Sequence, residues 1–357
     1  MVDRQADQAG RSGGTVAMMP EFDVGRLDAF LHDRIGGLEG PIRVERVSGG
    51  QSNPTFFVTY ENRRMVLRKK PAGVVLPSAH AVEREARVLM ALAGTDVPVP
   101  RVLTVDDGSD VVGTPFYMME RVEGRVFASG DLVGVDPVAR RAMYGAYADV
   151  MARLHDLDWR ALGLDGFGRP GDYFARQMAR WGRQLDPART QDVPELFTLQ
   201  EWLLAHLPPD DGATAICHGD CRIGNMMFHP TEPRIVAVLD WELSTIGHPL
   251  ADVGFCAMGW RTSPTEYGGL LGLDLAALGI PDEADFLARY YASRTGTETA
   301  AVARLTSFHV AFAMFRFAVI FEGIAARARA GNAAGENAAE VGGLSAAFAR
   351  RGMVVVG

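Results

Sequence analysis

His218-Gly219-Asp220-Cys221-Arg222-Ile223-Gly224-Asn225 is followed, after an apolar run, by Leu239-Asp240-Trp241-Glu242. An Asp, an Asn five residues later and a second Asp twenty residues after the first form the spacing of a phosphoryl-transfer centre. In that pattern Asp220 aims and deprotonates an attacking hydroxyl. Asn225 and Asp240 supply hard oxygen donors to magnesium, which bridges nucleotide phosphates. Any one of these residues alone is an ordinary cap or surface charge; the fixed spacing carries the reading.

Upstream, the pattern is that of a small sheet. Ile42 to Val47, Thr55 to Tyr60 and Met65 to Arg68 read as three strands, with a turn at Asn62-Arg63-Arg64. Between the first two lies Ser48-Gly49-Gly50-Gln51-Ser52-Asn53. Two glycines let a backbone approach phosphates closely, so Gly49, Gly50, Ser52 and Asn53 are candidate nucleotide contacts. A helix is expected at Asp23 to His32 with Asp23 as N-cap, and another from about Ser78 to Ala93. Arg101 to Asp106 and Phe116 to Val122 read as further strands, and Gly124 marks a change of region.

Beyond Gly124 the chain reads as helical. Asp136-Pro137 opens a long helix to about Leu154. Helices are also expected over 168–186, 196–207, 302–326 and 345–350, with a loop at 332–340. The first 20 residues read as a disordered tail.

Of the 357 residues, 48% are hydrophobic and 22% charged, enough for one sizeable two-lobed core. A net charge of −8 points away from nucleic acid, and no apolar run reads as long enough to cross a membrane. Three cysteines make no secreted-type framework, so the expected setting is a reducing cytoplasm. Lysine occurs only at Lys69 and Lys70.

The motifs resemble the aminoglycoside phosphotransferase and choline-kinase-like family. The finer likeness, carried by His218 to Asn225, Val238 to Thr245 and Gly247-His248-Pro249-Leu250-Ala251-Asp252, is to the kinase-like domain associated with acyl-CoA dehydrogenases. The resemblance implies a bilobal, protein-kinase-like α+β fold. An N-lobe at 21–122, an antiparallel sheet plus a helix, would bind nucleotide; a mostly helical C-lobe at 123–357 would carry the catalytic loop and the acceptor. The implied cofactors are ATP and Mg2+, and the implied partner is a small molecule bearing a hydroxyl.

The same resemblance places Arg68 where the family carries its phosphate-binding lysine, with Lys70 as the other candidate on that strand face. It picks Glu85, from Val82-Glu83-Arg84-Glu85, as the partner of that cation. It makes Met119, Glu120 and Val122 the hinge that reads the adenine. His218 and Asp252 are implied to brace the catalytic loop rather than touch substrate. The implied acceptor wall includes Tyr173, Arg176, Trp181, Trp241, Trp260 and the helix near Arg316.

Two other readings stand beside this one. A metallohydrolase could use His218, Asp220, Asp240, His248 and Asp252, but leaves Asn225 and the glycine loop without a role. A catalytically silent nucleotide-binding module is a second, since Arg68 replaces lysine. Antibiotic resistance would be the same chemistry on another acceptor. From residue 258 onward nine Arg balance nine Asp and Glu, which points away from a polycation and, with the family context, toward a hydroxyacyl compound.

Overall fold

The computed structural model describes residues 21–47, 53–72, 81–108, 110–188, 193–295, 304–329 and 341–357. The expected tail at 1–20, most of the glycine loop including Gly49, Gly50 and Ser52, the first turn of the helix expected from Ser78, and the loop at 332–340 lie outside these residues.

Alternation along five strands builds the N-terminal region. β1 (Arg43–Arg46), β2 (Thr55–Thr59), β3 (Arg64–Lys69), β4 (Val102–Asp106) and β5 (Phe116–Glu120) form one antiparallel sheet in the order β1-β2-β3-β5-β4. Met65, Leu67, Phe116 and Met118 point to one face and pack with Phe56 and Val58 under α1 (Val24–Arg34), through Leu27 and Leu31. Tyr117 points to the other face, into the core shared with α2 (Val82–Leu92). The β3–β5 register sets Arg68 opposite Tyr117, so Arg68 also faces α2. Lys69 turns the other way; it is buried, and its Nζ donates to the Val112 carbonyl at 2.7 Å. Asp23 caps α1 by accepting from Gly25 N–H at 2.8 Å.

After β5 the chain crosses to the helical part alongside the catalytic hairpin. Arg125 exchanges both backbone hydrogen bonds with Phe228, at 2.7 and 2.9 Å. Gly124 permits that approach, because a Cβ there would lie 2.6 Å from the Phe228 carbonyl oxygen. α3 (Pro137–Asp156) starts at Asp136, whose carboxylate accepts from Val138 and Ala139 N–H. α4 (Tyr173–Ala188) and α5 (Pro194–Ala205) follow.

β6 (Ala215–Cys217), β7 (Met226–Phe228), β8 (Ile235–Val238) and β9 (Thr245–Gly247) then form two short antiparallel pairs, β6 with β9 and β7 with β8. α6 (Leu250–Met258), α7 (Leu275–Leu278), α8 (Glu283–Ser293), α9 (Ser307–Arg329) and α10 (Leu344–Val356) complete the chain. α9 is the centre of this part, packed by α4, α5, α6 and α10.

α9 corrects one expectation. It is long and apolar enough to cross a membrane, yet 78% of its most apolar window is buried within the protein. A helix apolar on every side is what a central position in a helical core requires.

Candidate active site

The catalytic stretch begins where β6 ends. His218 and Gly219 donate their backbone N–H groups to the two carboxylate oxygens of Asp252, at 2.6 and 2.9 Å. Asp252 sits in the first turn of α6 and is 1% exposed. Its Oδ2 also lies 3.3 Å from His155 Nε2 on α3, and His155 Nδ1 lies 2.8 Å from the Tyr290 hydroxyl on α8. Burial works to raise the Asp252 pKa, but His155, His218 and the Gly219 N–H outweigh it and hold the carboxyl below its ordinary range.

The His218 ring is locked in one tautomer. Nδ1 accepts from Asp220 N–H at 3.2 Å, so Nε2 carries the proton and donates to the Leu239 carbonyl at 2.8 Å. Gly219 has φ +82°, and a Cβ there would meet Leu243 O at 2.4 Å. The loop is therefore threaded against the Trp241–Leu243 turn with no room for a side chain.

Asp220, Asn225 and Asp240 converge. Asn225 Nδ2 donates to Asp220 Oδ2 at 2.9 Å and to the Asp220 carbonyl at 2.8 Å. This anchors the amide nitrogen and leaves Oδ1 as its outward donor atom. Asp220 Oδ1 is buried without a hydrogen-bond partner among the described residues. Burial raises the Asp220 carboxyl above its ordinary range, against the pull of Arg222, His218 and Asn225. Leu239 N–H donates to the Asn225 carbonyl at 2.8 Å, which brings the β8 end and Asp240 back onto the loop.

Asp240 takes φ +64°, a left-handed conformation costly for a non-glycine residue, by about 1–3 kcal/mol. Its carboxylate is one-third exposed and accepts from Arg68 Nη2 at 2.8 Å. The Asp240 charge acts on Asp220, which Asn225 contacts directly, and all three side chains carry oxygens of the kind that suit magnesium.

Arg68 crosses from the sheet to this group. Its Nε lies 2.9 Å from Glu85 Oε2 on α2, an electrostatic contact without hydrogen-bond alignment. Its Nη2 also lies 3.4 Å from Glu242. Burial works against the guanidinium charge, but Glu85, Tyr117, Asp240 and Glu242 together hold its pKa above the ordinary value. Glu85 is 2% exposed, and burial pushes its carboxyl up to about 7, with Arg68 pulling it down and Asp240 and Glu242 adding repulsion.

Three residues here escaped the sequence reading. The buried Tyr117 hydroxyl hydrogen-bonds to Glu85. Arg84 donates to the Phe167 carbonyl at 2.7 Å, and Arg87 donates to Gly163 and Asp165 carbonyls at 2.8 Å. Those two arginines pin α2 to the helical part. Only the alternation of β5, which faces Tyr117 toward α2, was a signal available in advance.

Of the expected glycine loop, Asn53 is described, and it is buried at the start of β2. The expected hinge follows β5. Met119 packs against the core from the β5 strand, and Glu120 N–H donates to the Arg101 carbonyl at 2.9 Å while its side chain pairs with Arg101. Val122 lies past the strand end, half-buried.

Of the five residues expected to form an acceptor wall, Tyr173 and Trp181 lie beside Arg316, whereas Trp241 and Arg176 turn away. Trp241 is 1% exposed, stacks obliquely on His218 and donates Nε1–H to the Val238 carbonyl, so it is core. Arg176 turns back to the carbonyls of Arg169 and Pro170 and braces its own loop. Tyr173 packs against Gly247 of β9. Trp181 is buried between α4 and α9. Trp260 is the one of the five that lines the cleft beside Arg222, and it does so with Tyr144, Tyr147, Thr262, Tyr267 and the backbone of Gly268-Gly269. That cleft has no Asp or Glu among its lining residues.

The metallohydrolase grouping is not assembled either. Both nitrogens of His218 are committed to the backbone, and His248 Nε2 lies 3.2 Å from Asp211. No cluster of three or more His, Cys, Asp or Glu residues suited to a metal occurs among the described residues.

The model of the phosphotransferase enzyme family matches residues 43–292. The chain is 40% identical over 327 residues to acyl-CoA dehydrogenase family member 10 of Mus musculus, covering 90% of this chain and 30% of that protein. It therefore spans less than a third of that curated relative. A crystal structure from Ralstonia eutropha, described as a candidate aminoglycoside phosphotransferase, superposes with a TM-score of 0.83 at 42% identity, covering 94% of this chain and 98% of the other. At 18% identity and a TM-score of 0.57, the aminoglycoside phosphotransferase APH(4)-Ia, solved with ADP and hygromycin B, shares the fold over 91% of this chain and 98% of its own.

Proposed function

The chain belongs to the phosphotransferase enzyme family, and from that premise we propose that it transfers the γ-phosphoryl group of ATP to a hydroxyl of a small molecule. The observation that carries the proposal is that Asn225 binds Asp220, whose carboxyl feels the Asp240 charge, while Asp240 pairs with Arg68. In this reading Asp220 Oδ1, buried and without a protein partner, takes the hydroxyl hydrogen bond and aims the oxygen at phosphorus. A raised pKa suits that task, because the carboxylate must accept a proton late in a loose transition state.

Magnesium fits the donor set: Asn225 Oδ1 and the Asp240 carboxylate would hold it, and it would neutralise charge on the phosphate oxygens. Arg68 binds phosphate oxygens, and Glu85 holds it in place. Gly49, Gly50, Ser52 and Asn53 contact the phosphates, and Met119, Glu120 and Val122 receive the adenine. His218 and Asp252 keep the loop rigid. Residues 21–122 then act as the nucleotide lobe and 123–357 as the acceptor lobe.

The acceptor proposed is a hydroxyacyl compound. The named dehydrogenase relative supports an acyl body, and the cleft beside Arg222 offers aromatic and glycine surface without the carboxylates a polycationic antibiotic requires. The test is ADP release over a panel of hydroxyacyl compounds, aminoglycosides and macrolides. Turnover confined to aminoglycosides overturns the acceptor class; a chain that binds MgATP and turns over nothing favours a silent nucleotide-binding module.

A further inference from the structure

Arg316 is the most anomalous charge in the molecule. It lies in the middle of the apolar helix α9, is 7% exposed, and forms no hydrogen bond or ion pair among the described residues. Its guanidinium stands 5.5 Å from the centre of the Trp181 ring on α4. Trp181 is itself 7% exposed, and its Nε1–H is a second buried donor with no acceptor. Arg180, the neighbouring residue, places its guanidinium 5.2 Å from the same ring and pairs with no carboxylate among the described residues. Two cations and an indole N–H thus meet where α4 packs on α9, beside the Tyr173 hydroxyl and with no carboxylate pairing them among the described residues. Buried polar groups are almost always paired, so donors left open among the described residues mark a place where an anion could bind.

The place connects to the phosphoryl-transfer loop. Arg222 Nε is 3.4 Å from Asp220 Oδ2, and the Arg222 guanidinium lies 5.4 Å from the centre of the Tyr267 ring. The Tyr267 hydroxyl in turn lies close enough to Arg316 to feel its charge. Burial, together with the facing Arg316 charge, holds the Arg180 pKa below its ordinary value, as expected of two like charges with no anion between them.

We infer that Arg316, Trp181 Nε1–H and Arg180 form an oxyanion subsite that receives a carboxylate or phosphate group carried by the acceptor. The inference rests on the phosphotransferase reading for the word acceptor, but not for the anion. Arg316 supplies a planar fork of N–H donors, Trp181 a single directed one, and Arg180 a screened charge at the rim. An acceptor held there by its anion would reach toward Asp220 past Tyr267 with its hydroxyl. A polycation would be repelled, which gives the site specificity by charge as well as by shape.

The test uses binding without nucleotide, so it is independent of turnover. Affinities for inorganic phosphate, 3-hydroxybutyrate and the methyl ester of 3-hydroxybutyrate are measured by titration calorimetry for the wild type, Arg316→Met and Arg180→Gln. The expected result is that both anions bind and the ester binds at least about tenfold more weakly. Each substitution should weaken the anions by about tenfold or more while the ester and MgATP affinities stay unchanged. Arg316→Met should also melt no lower than the wild type, because the lost guanidinium has no hydrogen-bond or ion-pair partner among the described residues.

Phosphate binding without carboxylate binding would assign the subsite to a phosphorylated acceptor. The inference is overturned if neither anion binds, if the ester binds as well as the acid, or if the substitutions leave anion affinity intact. Should Arg316→Met fail to fold, the exposed Arg180→Gln carries the same comparison. Failure here with normal ATP turnover leaves the phosphotransferase reading in place; loss of turnover with anion binding intact does the reverse.

Discussion

Arg68 on β3 and Glu85 on α2 meet at 2.9 Å, and the Glu85 carboxylate is almost wholly buried. The contact locks a strand of the sheet to the helix beside the catalytic turn. Removing the cation strands a buried carboxylate, which costs about 3–5 kcal/mol when the charge is kept. Arg68→Met should therefore lower stability by about 3 kcal/mol at pH 8, and Arg68→Met combined with Glu85→Leu should lower it less. A double-mutant cycle from denaturant unfolding checks this; purely additive losses would show that the two side chains are not coupled.

The same carboxylate predicts opposite pH trends for stability and nucleotide binding. Burial raises the Glu85 pKa from 4.5 to about 7. A group raised on folding contributes stability that is fully present below its unfolded value and lost as pH rises through the folded one. Stability from this site should fall between about pH 4.5 and 7. ATP affinity should rise over the upper part of that range, because only ionised Glu85 holds Arg68 toward the phosphates. Glu85→Gln should flatten both profiles, and thermal melts and ATP titrations at matched pH values measure them.

Asp220→Asn should cut the phosphoryl-transfer rate by about 10²–10⁴ while ATP affinity stays within about twofold. The amide keeps the size of the carboxylate and its neighbours Asn225 and Arg222, but cannot accept the hydroxyl proton. ADP release and equilibrium nucleotide binding, measured on the same preparation, separate the two effects. Unchanged turnover would remove Asp220 from the chemistry.

Sequence carried the strands, the order of the helices and the pairing of Asp220 with Asn225 on one loop, because these depend on period and spacing along the chain. Arg68 was legible for the same reason: alternation along β3 decides its face. What stayed hidden depends on contacts between distant segments. Tyr117 reads as one more strand aromatic, and nothing near it in sequence says that its hydroxyl meets Glu85. Arg84 looks like a helix surface charge until the loop ending at Phe167 is placed against it. Two members of the expected acceptor wall, Trp241 and Arg176, are next to functional residues in sequence while their side chains turn into the core and back to their own loop. A motif fixes which backbone is near the chemistry, and packing fixes which neighbours face it.

Gly219→Ala tests whether the loop tolerates any displacement. The residue holds φ +82°, and an added methyl group would press on the Leu243 carbonyl at 2.4 Å. Strain and overlap together should cost about 2–4 kcal/mol and shift Asp220 relative to Asp240. The expected readout is a rate at least about a hundredfold lower, with the acceptor KM less affected than kcat.

Asp252 should behave as a positioning residue. Its two oxygens accept from His218 and Gly219 N–H, and a third contact runs through His155 to Tyr290. Asp252→Asn keeps one acceptor but turns an amide N–H toward a backbone N–H, so one bond is lost and two donors face each other. Stability should fall by about 2–3 kcal/mol. If the carboxylate also sets the aim of Asp220, kcat should fall about tenfold or more with ATP affinity unchanged. Asp211→Asn is the control, since it alters only the contacts of Asp211 with His248 and the Ala213 N–H, away from Asp220, and should leave kcat alone. A less stable Asp252→Asn protein working at the full rate would assign Asp252 to folding alone, whereas a slow one that recovers none of its rate under stabilising conditions ties the α6 start to the aim of the catalytic loop.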